Sequence, residues 1–286
     1  MYFNNLENIS VEVLTDTFNR AFEGYEIPLR FEVPAFERKL QVEHFSPKHS
    51  VGAFNEQGEL VGFIIHCDSL YNKKIVYNSG TGVLPAYRGN GITKEMYRYA
   101  KEQFLQQGIT EVILEVLVNN KPAYKSYIDS GFVKSRNFKS YKGAPIEQII
   151  RYRIEKVTIT EASLEAVKDM TSIKPSWQND FQAMLLSKDF AQMYVAYQGE
   201  MPVGYLIYNP NGKRIHQIAV AATHRRLGVG SSLLAALYQE FPDVYTIINI
   251  DANDEAIHSF FTAKGFESLV ELDELVMSLD MWVFSC

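Results

Sequence analysis

Three short landmarks occur twice in this chain, in the same order. Val61-Gly-Phe returns as Val203-Gly-Tyr, Arg88 as Arg225, and Gly131-Phe as Gly265-Phe. The separation between matching landmarks decreases from the first pair to the third, so the loops between landmarks are shorter in the second copy. An ordered repetition constrains the fold more than any single motif does, because it requires two copies of one domain. The length of 286 residues agrees with two domains of about 150 residues each.

The first copy contains a glycine-rich stretch, Gly80 to Thr93, that joins a predicted strand to a predicted helix. The first N–H groups of a helix and the positive end of its dipole attract an anion, and Arg88 adds a positive charge. Taken alone, the glycines favour a tight turn beside a surface arginine. The second copy, Ile218 to Gly230, again lies between a strand-like run and a helical run, and it favours an anion cradle.

Both copies resemble the acyl-CoA pyrophosphate loop of the GNAT acetyltransferase superfamily, whose pattern is Arg/Gln-x-x-Gly-x-Gly/Ala. Thr93 departs from the small residue of that pattern, and it either crowds the cofactor or donates its hydroxyl to a phosphate. The resemblance implies that acetyl-CoA is bound by both loops, by the strand end at Val83 and by Asn120. The loop residues implied are Arg88, Gly89, Asn90, Gly91, Ile92, Thr93, Arg225, Arg226, Leu227, Gly228, Val229 and Gly230.

A second GNAT signature, Asn-x-x-Ala-x-x-x-Tyr-x-x-x-Gly-Phe, matches residues 120–132 at every fixed position. The apolar spacing alone predicts a helix with one buried face, on which Tyr127 is an ordinary core residue. The resemblance implies instead that Asn120 helps to hold the pantetheine arm and that Tyr127 gives its phenol proton to the departing CoA sulfur. A hydroxyl within hydrogen-bond reach would favour that leaving group.

Glu115 interrupts a run, residues 111–118, that is apolar on both faces and therefore predicts a central strand. A carboxylate in such a strand must be paired, hydrogen-bonded or protonated, because burying it bare is costly. Three interpretations remain open: a structural ion pair, a base that takes a proton from an amine, and a binding group for the ammonium of the acceptor.

The second copy differs at the position that matches Tyr127, which is occupied by Phe261. Phenylalanine has no proton to give, and Asn253 lies one residue too far from the following glycine to match Asn120. His258 is nearby, and it is either an acid or an incidental helix residue. The second copy therefore either binds acyl-CoA without using it or only completes the fold.

We predict an α/β fold of two tandem GNAT-like domains, each a mixed, mostly antiparallel sheet flanked by helices. The predicted domains are residues 1–145, expected to be catalytic, and residues 150–286. Aromatic residues in the first helical region favour a core, although the family resemblance places this region beside the acceptor cleft. They are Phe22, Tyr25, Phe31 and Phe36.

The charge and the cysteine and histidine content of the chain exclude several classes of binding partner. The net charge is −6 and the acidic excess lies in the second half, so we expect neither nucleic-acid binding nor a membrane surface. The two cysteines, Cys67 and Cys286, form no disulfide framework, and the histidines and cysteines lack zinc-ligand spacing, so no metal is expected.

No signal peptide or apolar run long enough to span a bilayer is recognised, which predicts the cytoplasm.

The resemblance implies acyl transfer, with acetyl as the expected group, from acyl-CoA to an amine of a small molecule or peptide. The alternative is a non-catalytic protein that binds or senses acyl-CoA. The second copy is also compatible with a pseudo-subunit that replaces the partner of a GNAT dimer, which would make a monomer sufficient.

Overall fold

The computed structural model describes residues 1–24, 29–145, 149–171 and 173–279. They form two compact units. Unit 1 contains residues 1–135 together with the described residues from Asp273 on, and unit 2 contains residues 136–272. The domain boundaries expected from the sequence, 1–145 and 150–286, stay predictions. Tyr25 and Cys286 lie outside the described residues.

The described residues form twelve strands and eight α-helices. The strands are β1 (Tyr2–Asn5), β2 (Val51–Phe54), β3 (Leu60–Asp68), β4 (Ile75–Val83), β5 (Glu111–Leu117), β6 (Val133–Gly143), β7 (Arg153–Val157), β8 (Gln192–Gln198), β9 (Met201–Asn209), β10 (Arg214–Val220), β11 (Tyr245–Asp251) and β12 (Glu267–Ser278). The helices are α1 (Val11–Ala21), α2 (Val33–Val42), α3 (Ile92–Gln107), α4 (Lys121–Asp129), α5 (Glu161–Glu165), α6 (Phe181–Leu186), α7 (Val229–Glu240) and α8 (Glu255–Ala263).

The sheet of unit 1 has the strand order β1-β2-β3-β4-β5-β12, with β12 contributing its residues from Asp273 on. The pairs from β1 to β4 are antiparallel, and β4 and β5 are parallel. Helices flank this sheet, and α3 provides the connection that a parallel pair requires. The predicted mixed, mostly antiparallel fold is therefore confirmed in unit 1.

The sheet of unit 2 repeats the arrangement with the strand order β6-β11-β10-β9-β8-β7. Its parallel pair is β10 and β11, joined through α7, and the other pairs are antiparallel. In both units the glycine-rich loop thus joins the first strand of the parallel pair to the crossover helix.

Local sequence signals explain the main elements of unit 1. The Ser10 hydroxyl accepts a hydrogen bond from the Val13 N–H and caps α1, and Gly108, with φ of 74°, ends α3. Phe36 is fully buried against Phe18, and Phe31 packs on both rings. These described aromatics thus belong to the core, and a substrate role for this region stays a prediction.

Among the residues that the structure describes, no helix is long and apolar enough to cross a membrane.

Candidate functional site

The first glycine-rich loop follows β4 and ends on α3. A short 3₁₀ turn, Pro85–Tyr87, is followed by two residues in the left-handed region, Gly89 with φ of 79° and Gly91 with φ of 71°. Gly91 is the N-cap of α3, and a Cβ atom built on it would meet nothing within 4 Å. The loop therefore leads the chain into a helix N-terminus that is open on the side of Gly91, as an anion cradle requires.

Arg88 anchors this loop to its own unit. Its Nε donates to the Val83 carbonyl oxygen at 3.0 Å, and its Nη2 donates to the Ala21 carbonyl oxygen at 2.6 Å. The Asn90 side chain donates to the Tyr87 carbonyl oxygen at 3.1 Å. The guanidinium thus holds the end of β4 and the end of α1, and its predicted contact with a phosphate stays a prediction.

The second loop, which follows β10 and ends on α7, repeats this geometry. Arg226, with φ of 64°, takes the place of Gly89, and Gly228, with φ of 89°, is the N-cap of α7. The Arg225 Nε donates to the Val220 carbonyl oxygen at 3.2 Å, as Arg88 does to Val83. The predicted repeat therefore holds at the level of individual backbone angles and hydrogen bonds.

Side chains pack closely on the second loop. The Arg151 Cδ lies 3.7 Å from the place of a Cβ on Gly228, and the Arg151 N–H donates to the Ser232 hydroxyl at 3.0 Å. A Cβ on Gly230 would lie 3.1 Å from the Phe260 ring. The glycine pattern of the second loop is therefore explained partly by packing. Nothing in the sequence around Arg151 marks it as a residue that packs on this loop.

Both loops stand beside a gap between two parallel strands. β4 pairs with β5 from Ile75 to Asn78, opposite Glu111 to Leu114, but both strands continue beyond the last pair. The β3 register shifts against β4 at Ser79, which marks a bulge there. In unit 2, β10 and β11 pair only at Arg214–Ile215. Unpaired strand ends of this kind expose backbone N–H and C=O groups to a ligand.

Tyr127 lies on α4 in unit 1 and packs on Tyr97, the side chain that contacts the last paired residue of β4. Its side chain is buried, with 9% of the residue exposed, and its ring meets the Tyr97 ring edge-on at 6.3 Å. The Asn78 amide, at the last paired position of β4, donates to the Tyr97 hydroxyl at 2.6 Å. Burial, followed by the neighbouring Tyr127, raises the pKa of Tyr97 well above its ordinary value. Two phenols thus lie near the point where the strands separate.

Glu115 follows the last paired residue of β5 and is half-buried. Its Oε2 accepts a hydrogen bond from the Tyr77 hydroxyl at 3.1 Å. Because side chains alternate along a strand, Tyr77 points to the face opposite that of Asn78 and Tyr97. The structure therefore places Glu115 and Tyr127 beside one gap but on opposite faces of the sheet. Tyr77 is a partner that the sequence analysis did not identify.

Asn120 has a structural task in addition to its predicted one. Its Oδ1 accepts a hydrogen bond from the Ala123 N–H at 3.2 Å and caps α4. This cap fixes the start of the helix that carries Tyr127.

Unit 2 has the same framework with different side chains. Asn249, at the position that matches Glu115, is buried, and Phe261 is fully buried against Tyr141 and Phe266. The His258 Nδ1 is 2.8 Å from the Tyr141 hydroxyl, and its Nε2 is 2.9 Å from the Asp251 carbonyl oxygen. Both ring nitrogens of His258 are thus held within the fold, which favours the structural interpretation of this residue.

A pocket lies between β10 and β11 in unit 2, with about 90 Å³ open to water-sized molecules. His216, which the sequence analysis did not single out, contributes to its wall. The signal that could have found it is its position, which matches that of Ser79 when the two glycine-rich loops are aligned. The described part of the chain, this pocket included, contains no group of three or more His, Cys, Asp or Glu side chains placed to hold a metal ion.

Two family models match the chain. The model described as the acetyltransferase (GNAT) family matches residues 11–132, and the one described as the acetyltransferase (GNAT) domain matches residues 189–268. No protein of curated function matches the sequence significantly.

Solved structures share the fold over almost the whole chain. A GCN5-related N-acetyltransferase from Sphaerobacter thermophilus is 12% identical, with a TM-score of 0.71 over 97% of this chain and 95% of that chain. A tandem GNAT protein from the clavulanic acid biosynthesis pathway is 14% identical, with a TM-score of 0.71 over 97% and 98%. A putative acetyltransferase from Pyrococcus horikoshii is 14% identical, with a TM-score of 0.69 over 97% and 89%. At these identities the likeness concerns the fold.

Proposed function

Since the chain belongs to the GNAT acetyltransferase family and carries two of its domains in tandem, we propose that it is an acyl-CoA-dependent N-acyltransferase. The donor we propose is acetyl-CoA, and the acceptor is an amine of a small molecule or peptide. We place the reaction in unit 1, because only this unit combines the open loop with both Tyr127 and Glu115.

The observation that carries this proposal is the gap beyond Asn78 and Leu114 in unit 1. It lies between the loop that ends at Gly91 and the helix that carries Tyr127. An extended acyl-bearing arm would find unpaired backbone groups there, and its phosphates would meet the N-terminus of α3. The residues at this cleft therefore fit acetyl-CoA, with Gly89 to Thr93 offering backbone N–H groups and Arg88 fixing the loop.

Acetyl-CoA supplies an activated thioester, so the amine attacks the carbonyl carbon directly and the carbon–sulfur bond breaks. Tyr127 then gives its phenol proton to the departing sulfur. Glu115 either takes the proton that the amine must lose or binds the ammonium before that loss. Backbone groups near Val83 polarise the thioester as an oxyanion-type donor does, and positioning supplies much of the acceleration.

Unit 2 favours a different role. Asn249 and Phe261 stand where unit 1 has Glu115 and Tyr127, so unit 2 lacks both a carboxylate and a phenol at these positions. We therefore propose that unit 2 binds a ligand without turning it over. The cytoplasm and a functional monomer stay predictions of the sequence.

The experiment that tests the function measures thiol release from acetyl-CoA with a panel of amines, using Tyr127→Phe and the matched control Tyr124→Phe on the same helix. We expect Tyr127→Phe to lower turnover by about 10- to 100-fold, since general acids contribute at least this much. Acetyl-CoA affinity, measured by calorimetry, should hardly change in either variant. Turnover equal to that of the wild type would remove Tyr127 from the mechanism, and no thiol release with any amine would favour the non-catalytic alternative.

A further inference from the structure

Tyr77 is a buried phenol that reaches the candidate base of unit 1. Only 2% of the residue is exposed, and a tyrosine hydroxyl in such a place needs a hydrogen-bond partner inside the fold. The Tyr77 hydroxyl donates to Glu115 Oε2 at 3.1 Å. The two residues are 38 positions apart in the chain, so it is the sheet that brings them together.

The strand pairing explains how the two side chains meet. Tyr77 of β4 stands opposite Ile113 of β5, and paired residues of neighbouring strands point to the same face of a sheet. Glu115 lies two residues beyond Ile113, so its side chain points to that face as well. The phenol therefore spans the diagonal to a carboxylate that stands one position past the last paired residue of β5, Leu114.

The hydrogen bond fixes the orientation of Glu115. Past Leu114 the strand is no longer paired with β4, so the pairing of these two strands does not set the position of the carboxylate. A glutamate side chain has three torsions and loses much freedom when it is held, whereas a tyrosine has two and is rigid when buried. Tyr77 is thus a stiff arm that holds a more flexible side chain.

The same hydrogen bond favours the charged form of Glu115. Its neighbours on this face of β5, Ile113 and Leu117, are buried apolar side chains, and an apolar environment disfavours a carboxylate. An ionised carboxylate only accepts hydrogen bonds, and an O–H group that donates to it stabilises that form. Tyr77 therefore opposes the effect of burial on Glu115.

We propose that Tyr77 is a positioning residue of the acyl transfer, which holds Glu115 ionised and in one orientation for the acceptor amine. This inference rests on the function proposed for unit 1. It holds for both chemical roles left open for Glu115, because a base and a binding group for ammonium must each be charged and correctly aimed. Tyr77 keeps its own proton throughout, and the proton of the amine passes to Glu115 or to solvent.

Unit 2 provides a matched comparison away from any candidate base. The Tyr194 hydroxyl lies 3.1 Å from Glu240 Oε2 and 3.0 Å from Gln192 Oε1, and 3% of Tyr194 is exposed. Glu240 is the last residue of α7 and also pairs with Lys156. Removing the Tyr194 hydroxyl therefore shows what the loss of a structural contact between a tyrosine and a glutamate does to the protein.

Steady-state kinetics with acetyl-CoA and a reactive amine test the role. Tyr77→Phe should lower kcat/KM for the amine by about tenfold, the effect of one hydrogen bond to a charged group. It should change whichever constant Glu115→Gln changes, kcat or KM, because it acts through that carboxylate. Tyr194→Phe, the control, should leave both constants as in the wild type. Wild-type kinetics of Tyr77→Phe would overturn the proposal.

The double variant separates positioning from a general loss of stability. With Glu115→Gln already present, Tyr77→Phe should have no further effect on kcat/KM, since the carboxylate that it holds is absent. An equal loss in the presence and the absence of the Glu115 carboxylate would show that Tyr77 acts elsewhere, and it would overturn the proposal.

A second readout requires no turnover. In protein with ¹³C-labelled glutamate carboxyl carbons, NMR follows the ionisation of Glu115, whose signal is identified by its loss in Glu115→Gln. The midpoint should rise by about 1 pH unit in Tyr77→Phe, because the charged form loses a hydrogen bond, and it should not move in Tyr194→Phe. An unchanged midpoint would overturn the proposal. If no amine gives thiol release, the function proposed for unit 1 is wrong, while this titration still decides whether Tyr77 controls the charge of Glu115.

Glu115→Asp serves if Tyr77→Phe does not fold. Aspartate keeps the carboxylate but withdraws it by about one carbon–carbon bond from the Tyr77 hydroxyl. We expect kcat/KM for the amine to fall by at least about tenfold, since misplacement by this distance is costly in a reaction that depends on orientation. Wild-type kinetics of Glu115→Asp would show that the held orientation has no role.

Discussion

At the scale of single residues, the sequence identified the candidate catalytic side chains, but it did not identify the residues that contact them in the fold. Glu115 stood out because it interrupts an apolar run, and Tyr127 stood out because it matches a fixed position of a family signature. Tyr77, the hydrogen-bond donor to Glu115, comes from another strand 38 residues away, and nothing in its own neighbourhood marks it. His216 was missed for the same reason, since the burial of its ring nitrogens becomes visible only when the strands around it are in place.

Glu115→Gln decides between the interpretations left open for this carboxylate. If Glu115 takes the proton of the amine, the variant should lower kcat by about 100-fold or more with little change in the KM of the amine. If it binds the ammonium, KM should rise while kcat changes little. Steady-state kinetics with a reactive amine measure both quantities. Unchanged kcat and KM, with reduced stability, would leave only a structural role for Glu115.

At the scale of elements, the sequence predicted the helices and strands beside the first loop because caps and apolar periods are local signals. Ser10 lies where α1 begins and Gly108 where α3 ends, and both are residue types typical of these helix ends. The backbone conformation of the second loop was harder to predict, because an arginine such as Arg226 does not indicate a left-handed conformation. Only its alignment with Gly89 reveals the position, and the structure finds both residues at positive φ.

This pair predicts stability changes of opposite sign. Gly89→Ala should lower the free energy of unfolding by about 1 kcal/mol, since a Cβ in the left-handed region costs about 1–2 kcal/mol and the stiffer unfolded chain offsets part of that. Arg226→Gly should raise it by about 0.5 kcal/mol, since relief of the same strain exceeds the entropy cost of glycine. Urea denaturation measures both changes. Equal signs for the two variants would contradict the assignment of a shared backbone conformation.

At the scale of the whole molecule, the repeat was readable and the division into compact units was not. The three repeated landmarks indicate that two similar domains follow one another along the chain. The described residues 273–279 belong to unit 1 although they follow unit 2 in the sequence. An alternating apolar pattern reports that a strand has a buried face, but it contains no information on which sheet the strand joins. Fold class therefore followed from the sequence, whereas this assignment required coordinates.

Each unit also buries one neutral histidine, which predicts how the molecule responds to acid. Burial lowers the pKa of His66 in unit 1 and of His216 in unit 2 to about 3, from 6.5. Between these values the unfolded chain binds a proton that the folded chain does not, so stability falls as pH drops below about 6.5. The slope is at most about 1.4 kcal/mol per pH unit for each histidine.

Urea denaturation at pH 7 and pH 5 checks this response in the wild type, in His66→Gln and His216→Gln, and in the double variant. Glutamine cannot be protonated in this range, so each single variant should lose less stability on acidification than the wild type, by up to about 2 kcal/mol. The double variant should show the sum of both effects, because the two histidines lie in separate compact units and share no partner in the described structure. An acid response of the double variant as steep as that of the wild type would assign it to carboxylates instead.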